Sequence, residues 1–532
     1  MGARHVLREQ ASFTGTRVLS TFAMRLLVAV LLLSGTARAA PFVLEGNVPE
    51  DGGAFFTVSF PVPVGVTELE VRHDDLSSAN ILDWGLLEPT GAFRGWGGGN
   101  SEPAVIGVRA ASRSYLAGPI PSGMWQVLIG KAQISQRPAK YRLEIDARTK
   151  TSLPAQDRQA YTPAAPLETN ARWYSGDLHV HSIESGDARP GLDEIGTFAR
   201  SRGLDFVALS DHNTSSHYDF INAAQTRHPK VLFVPSVEFT TYAGHLNAFG
   251  ASTFVPFWLG REGVTIKQAL QQFDQQGAIA TINHPTLDLG SFCIGCAWQQ
   301  PVIPELTRAI EIGVGGWDET GALFDESAIA YWEALADQGI HLTAVGGSDD
   351  HRAGVGLNQT QSPIGSPTTL LYASELSVVG LTRALREGRS VVKLRGPEDP
   401  LVTLTTLTTL PRVEDTLVGT SATLQALVTG GQGTTLVWVA NGVAVKEVQV
   451  ASDPFTDEFT LEVPEGRSAR ARAELRSGAA PRTVTSHVWL APDSPPGPPI
   501  IATKPTAPGC AGCSTTDASV VLLALLMLRR RA

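Results

Sequence analysis

From Pro41 to about Ile145 the apolar positions fall in short runs broken by Gly, Pro, Asn and Asp. FFTVSFPV, TELEVRHD, YLAGPI, MWQVLIG and YRLEID carry no helical period and predict strands, hence a β-sandwich or jelly roll over residues 41–150. RGWGGGNSEP (Arg94 to Pro103) predicts a Gly-rich loop, and without the Lys-Ser/Thr of a P-loop it is no phosphate cradle. Residues 151–172, rich in Pro, Ala and Thr, predict a linker. After Trp173 the pattern changes. Strands such as DFVALSDH, VLFVPSVEF, AIATINHP, AIEIG and LTAVGGSDDH now alternate with helical stretches such as LDEIGTFARSRG, TIKQALQQFDQQG, SAIAYWEALADQG and ELSVVGLTRALREG. That βα succession, over residues 173–398, predicts a parallel sheet closed into a barrel. From residue 399 to 492 the strand pattern returns (LVTLTTL, TLQALV, TLVWVAN, EFTLEV, ARARAEL, VTSHVWL), and an immunoglobulin-like β-sandwich without a Cys pair is expected.

The two ends differ from the rest. Arg25 precedes the apolar run Leu26 to Leu33, and Ala37-Arg38-Ala39 offers a small-x-small cleavage site, so residues 1–40 read as an export signal. Met1 and Met24 are both candidate starts. Residues 493–509 form a Pro-rich linker, followed over 510–532 by GCAGC, the apolar run Ser519 to Leu528 and the basic cluster Arg529 to Arg531. Both apolar runs fall short of the roughly 20 residues that span a bilayer. In its order of small-Cys, short apolar helix and basic cluster, this end resembles the MYXO-CTERM sorting tails. The resemblance implies processing near the Cys, reading by membrane sorting machinery, and an exported protein held at the outer membrane or cell surface, or secreted; a plain tail anchor is the alternative.

Composition narrows the function classes. The 532 residues leave room for three or four domains of about 150 residues. A net charge of −10, with no Lys/Arg-rich run outside the C-terminus, argues against binding nucleic acid through phosphate contacts. Four cysteines form two CxxC pairs, Cys293/Cys296 and Cys510/Cys513, in separate regions. For an exported chain a Cys293–Cys296 disulfide is favoured over a metal or redox site.

Of the 12 histidines, nine lie between His179 and His351, and they fall at strand ends. DLHVHS ends in His179 and His181, VALSDH in His212, and VPSVEF carries Glu238. His245 opens GHLNAFG, ATINHP ends in His284, and VGGSDDH ends in Asp349 and His351. Barrel enzymes build their sites at the C-terminal ends of strands, so these groups would converge on one mouth. Alternation along a strand puts both imidazoles of an HxH on one face. A lone His at a strand end is usually structural, but six His, one Glu and two Asp in succession point to a metal centre. Imidazoles with carboxylates suit Zn, Mn or Fe, and the carboxylates can bridge two ions. The absence of thiolates from these motifs excludes a structural Cys-zinc site. No GxSxG pattern appears, which argues against a covalent serine mechanism.

DLHVHS, SDH, the Glu of SVEF, NHP and SDDH resemble, in order and spacing, the motifs of the PHP (polymerase and histidinol phosphatase) metal-dependent hydrolases. DWGLLEPTGAFRGWGGG, LAGPIPSGMWQVLIG and CIGCAW are similar to features of the CehA/McbA-type subgroup. The resemblance spans roughly residues 41–395. It implies a distorted (β/α)7 TIM-like barrel holding two or three divalent transition metal ions. It implies a first ion on His179, His181, Asp349 and a bridging Glu238, a second on Glu238, His245 and His284, and a third on Asp187, His212 and His351. Asp187 falls one position later than in the common HxHxxxSDG pattern, because Gly186 intervenes. Asp177 and Asp211 fit as supports that orient imidazoles. Arg352 and His217 are candidate substrate contacts, each with a plainer reading as a rim ion pair and a solvated loop residue.

The expectation is an exported hydrolase that attacks a small-molecule phosphoester with a metal-bound hydroxide at a di- or trinuclear centre. The alternatives are a carbamate or carboxyl ester hydrolase, and a non-catalytic cell-surface binding protein whose barrel serves as scaffold.

Overall fold

Residues 41–314, 319–358, 361–406, 416–464 and 467–492 are described in a computed structural model. The expected leader, the Pro-rich linker and the C-terminal tail with Cys510 and Cys513 lie outside the described residues. Among the described residues no helix is long and apolar enough to cross a membrane.

Alternating burial makes the N-terminal part a sandwich of two antiparallel sheets. One runs Phe42–Asn47, Lys140–Arg148, Glu68–Asp74, Ala104–Gly107; the other runs Phe55–Val62, Gly123–Gln133, Ile81–Leu87, Phe93–Gly98. Their inner faces close over Phe60, Leu69, Trp125, Val127, Leu143 and Ile145. Two expectations are corrected. YLAGPI forms no strand, Tyr115 making only an isolated bridge to Gly95. The first half of RGWGGGNSEP is a strand, Phe93–Gly98, not a loop. Gly95 permits this, because its φ of +137 and missing Cβ let Tyr115 approach where a side chain would meet it at 2.4 Å.

The central region departs from a (β/α)7 barrel. Its strands form two sheets instead of one closed parallel ladder. Leu232–Pro235, Phe206–Leu209 and Arg172–Val180 pair in parallel, then Thr368–Ala373 and Ser390–Lys393 add antiparallel. The second sheet runs Glu238–Thr241, Gly244–Phe249, Ile279–Ile282, Thr307–Gly313, Thr343–Gly346, with its first two pairings antiparallel and its last two parallel. The reason is local: Glu238–Thr241 turns straight back into Gly244–Phe249, which leaves no chain for a crossover helix. Single bridges, His212 to Glu238 and Val180 to Asp350, join the sheets at the carboxyl ends of their strands.

Five α-helices cover these sheets among the described residues. Ile266–Gln275 shows why they form: Thr265 and Gln268 make a capping box, and Ile266, Ala269, Leu270 and Phe273 bury one face. Tyr218–Arg227, weakly amphipathic, was not legible as a helix in the sequence.

The C-terminal strands form a sandwich, with Leu401–Thr406, Ser421–Thr429 and Phe455–Glu462 in one sheet. Its other sheet is continuous with the central region, because Ser390–Lys393 pairs with Ala480–Thr485. The expected separate immunoglobulin-like module is therefore fused into the sheet that carries the first histidines.

An ionic clamp reinforces this junction. Glu333 of the helix Glu319–Ala336 takes Arg472 at 2.7 Å, Arg470 at 2.8 Å and His487 at 3.2 Å, and all four side chains are largely buried. Removing one partner from such a cluster leaves charges without compensation. Glu333→Ala should lower stability by about 3 kcal/mol, read as a reduced denaturation midpoint.

Candidate metal centre

His179, His181, His212, His284, Asp349 and His351 lie at or just past the carboxyl ends of central strands, Glu238 and His245 begin theirs, and Asp187 lies in a loop; two of these ligands sit in unusual backbone conformations. His284 has φ +26 and Asp349 φ +56. Non-Gly residues rarely adopt positive φ, and such strain concentrates at functional sites. For His284 it is held in place by Glu311 Oε2, which accepts the His284 N–H at 2.7 Å, and by the Cys296 carbonyl 3.2 Å from its Nδ1.

Three groups of ligand atoms result, each close enough to hold one ion. In the first, Asp349 Oδ1 lies 3.2 Å from His179 Nε2 and 2.9 Å from His181 Nε2, and Glu238 Oε1 lies 3.5 Å from His179 Nε2. The second shares Glu238, whose Oε1 stands 3.2 Å from His245 Nδ1 and 3.1 Å from His284 Nε2. His181, His212 and His351 make the third, with Asp187 Oδ2 at 3.4 Å from both His212 Nε2 and His351 Nε2. The structure thus brings all nine expected ligands together and adds His181 to the last group. The second group is buried, as are His179, His181 and Glu238 of the first, while Asp349 is partly exposed and the Asp187 side chain, 55% exposed, marks the open side.

The donor set fits divalent cations on an observation independent of spacing. Glu238 Oε2, His245 Nδ1 and Asp349 Oδ1 are buried without a hydrogen-bond partner. Such atoms are costly unless something satisfies them, and here they face one another across the cluster. Burial lowers His179, His212, His284 and His351, but the neighbouring carboxylates outweigh it and raise them, so a cation binding there would displace protons, while the carboxylates themselves are held ionised. Burial would raise the Glu238 carboxyl, but His179, His212 and His245 hold it well below its usual range. Asp349 is held down in the same way, chiefly by His179. Burial, reinforced by His351 and His212, pushes His181 down to about 3, which keeps that imidazole neutral.

A further set of groups fixes the ring orientations. His179 Nδ1 meets Glu311 Oε1 at 2.9 Å, His181 Nδ1 meets Ser185 Oγ at 3.0 Å, and His212 Nδ1 meets Thr240 Oγ1 at 2.7 Å. Asn283 donates to Glu238 Oε1 at 2.9 Å and is itself held by Asn247. Glu311 and Asn283 escaped the sequence reading, although a lone acid inside the apolar strand AIEIG was a usable signal. The Cys293–Cys296 disulfide is present, and its loop supplies carbonyls to His245 and His284.

Several expectations need correcting. Asp177 orients no imidazole; it accepts the backbone N–H groups of His179, Ser348 and Gly365 at 3.0, 3.0 and 2.7 Å. Asp211 binds Ser182 and stands 3.2 Å from His217 Nδ1, so the ring it supports is not a ligand. His217 is neither a substrate contact nor a solvated loop residue, being wholly buried with Nε2 on the Ser236 carbonyl at 2.9 Å. Arg352 makes no rim ion pair; its Nη1 donates to the Gly356 carbonyl at 2.9 Å, and it borders the cavity above Asp349 and His351.

Gly186, which displaces Asp187 by one position, has φ +90, and a Cβ there would come 3.3 Å from Gly97 O and Ser114 Oγ. The N-terminal sandwich grips this loop directly. Asn100 donates to the Gly186 carbonyl, Arg113 to that of Ala188, and Ser114 to that of Glu184. Asp187 is thus positioned by another domain.

No protein-family model and no curated protein matches the chain. Among solved structures it is similar to a two-domain protein from Bacteroides vulgatus containing a predicted PHP-like metal-dependent phosphoesterase. That pair shares 18% identity over 63% of this chain and 100% of that one, with a TM-score of 0.34. It is also similar to an amidohydrolase from Chromobacterium violaceum with bound sulfate and no metal, at 16% identity over 35% of this chain and 93% of that one, TM-score 0.24. Likenesses this slight decide nothing about activity, which has to be read from the site itself.

Removing a partner that orients a ligand typically lowers metal affinity about 10–100-fold. Glu311→Gln should do so while the fold persists, as measured by competition with a chromogenic chelator.

Proposed function

We propose that the chain is a metal-dependent hydrolase of PHP type that cleaves a phosphoester. The observation that carries this reading is the convergence of six imidazoles and three carboxylates on one mouth, with buried atoms of Glu238, His245 and Asp349 that lie close to one another's groups without a well-formed hydrogen bond. His179, His181, Asp349 and Glu238 would hold a first ion, Glu238, His245 and His284 a second, and Asp187, His212, His351 and His181 a third. Divalent ions bound there would lower the pKa of water and polarise the substrate oxygen.

The chain's own residues supply the rest. Glu238, shared between two ligand groups, fixes their separation; Asn283 keeps it from rotating, and Glu311 does the same for His179. Arg352, anchored on Gly356, borders a cavity of about 460 Å³ together with Asp349 and His351, where it can attract an anionic group. The buried groups lie away from bulk water, while the Asp187 side is open for entry and release.

Carbamate or carboxyl ester cleavage is the second reading. It is favoured by the aromatic character of an adjoining cavity, where Phe55, Trp96, Tyr242 and Phe257 stand beside His212 and His245. Action outside the cytoplasm is also proposed, supported by the joined Cys293–Cys296 pair, since disulfides persist in oxidising compartments.

Purified protein should contain a divalent transition metal and hydrolyse aryl phosphates or phosphodiesters, with chelation abolishing turnover and metal restoring it. An aryl carbamate in the same panel separates the two readings. His179→Ala should lose bound metal and at least about 100-fold in rate, on the scale of several kcal/mol expected of a polarising ion. Unaltered metal content and rate in that variant would refute the assignment.

A further inference from the structure

The cavity beside the metal centre, about 550 Å³, is built from two domains. Phe55, Ile81, Asp83 and the 97–101 segment come from the N-terminal sandwich, and Asp187, His212, Tyr242 and His245 from the central region. Its size suits a small substituted ring. Phe55 and Tyr242 stack with centroids 5.4 Å apart, and Trp96 meets Phe257 edge-on at 4.8 Å.

One polar group interrupts this aromatic lining away from the ligands. Asp83 Oδ2 accepts the Tyr242 hydroxyl at 2.7 Å, and its Oδ1 lies over Gly99, whose missing side chain leaves it uncovered. An ionised carboxylate offers about four acceptor sites, and a single phenol fills one of them. No Lys or Arg lines the cavity to neutralise it. Burial pushes the Asp83 carboxyl up to about 6, against the Tyr242 hydroxyl and the nearby His212, which pull it down.

We propose that this cavity is the leaving-group subsite, and that it selects a flat apolar group ending in a protonated amine, with Asp83 as acceptor and Phe55 and Tyr242 as walls. The proposal rests on the hydrolase reading for its orientation relative to the metal centre. Aromatic faces attract cations as well as flat rings, so walls and acceptor favour the same ligand. Asp83 touches no candidate metal ligand among the described contacts; it sets specificity and does not take part in bond cleavage.

The test uses two product-like probes that share a ring, 4-(aminomethyl)phenol and 4-methylphenol, titrated calorimetrically into the metal-loaded full chain at pH 8. There Asp83 is ionised and the amine protonated. The ammonium probe should bind at least about tenfold more tightly, a difference typical of one charge-assisted contact. In Asp83→Asn that ratio should fall to about one, with unaltered metal content reporting an intact centre. Equal binding by the unmodified protein, tighter binding of 4-methylphenol, no binding of either, or a preference that survives in Asp83→Asn would overturn the proposal. Because neither probe is turned over, the result stands apart from the hydrolysis assays, whose failure would strike the hydrolase reading alone.

Discussion

A carboxylate with 1% exposure has to be compensated where it stands, and the arrangement around Glu238 follows from that requirement. Removing such a group from water costs several kcal/mol unless opposite charge and hydrogen bonds replace the lost hydration. His179, His212, His245 and His284 surround it, and Asn283 donates to it. These partners come from four separate strands or strand ends, so satisfying one side chain fixes where those strands terminate. The bridge from His212 to Glu238 joins the two central sheets at that residue. Chemistry and architecture therefore meet at the same carboxylate.

Elsewhere in the core, buried acids tie backbone together. Asp177 holds N–H groups from three segments, those of His179, Ser348 and Gly365. Asp350 does the same for Arg352, Gly354 and Ile364, which fixes the loop directly after His351. Where strand ladders fail to close, these carboxylates supply the missing acceptors, so the ligand-bearing ends stay ordered without a complete barrel. The positive φ of Asp349 falls between these two anchors, while that of His284 is held by Glu311 and the Cys296 carbonyl.

The flanking sandwiches are also bound into the site's construction. The N-terminal one grips the loop from Glu184 to Ala188 and provides half of the cavity beside the ligands. The C-terminal one extends the sheet that begins with Arg172–Val180, and Glu333 locks the two together. Neither behaves as a bead on a linker, and the segment 151–172 runs from the N-terminal sandwich, where Gln156 bonds Ala111, to the central region, where Leu167 packs against the core.

The amino-acid sequence by itself determined where the candidate ligands lie along the chain, and most of the elements. Strand-end placement is a local property: period-two alternation puts His179 and His181 on one face, and short apolar strands place most of the remaining ligands at one end or the other. Tertiary structure alone decided the rest. Whether the strands close, which sheet the C-terminal sandwich joins, and that Asp177 serves backbone while Glu311 serves His179 all depend on pairings across more than a hundred residues. The cavity with Asp83 was equally illegible, because its walls come from domains whose contact no local pattern encodes. Local periodicity fixes where a side chain points along its own strand; only long-range packing fixes what it points at.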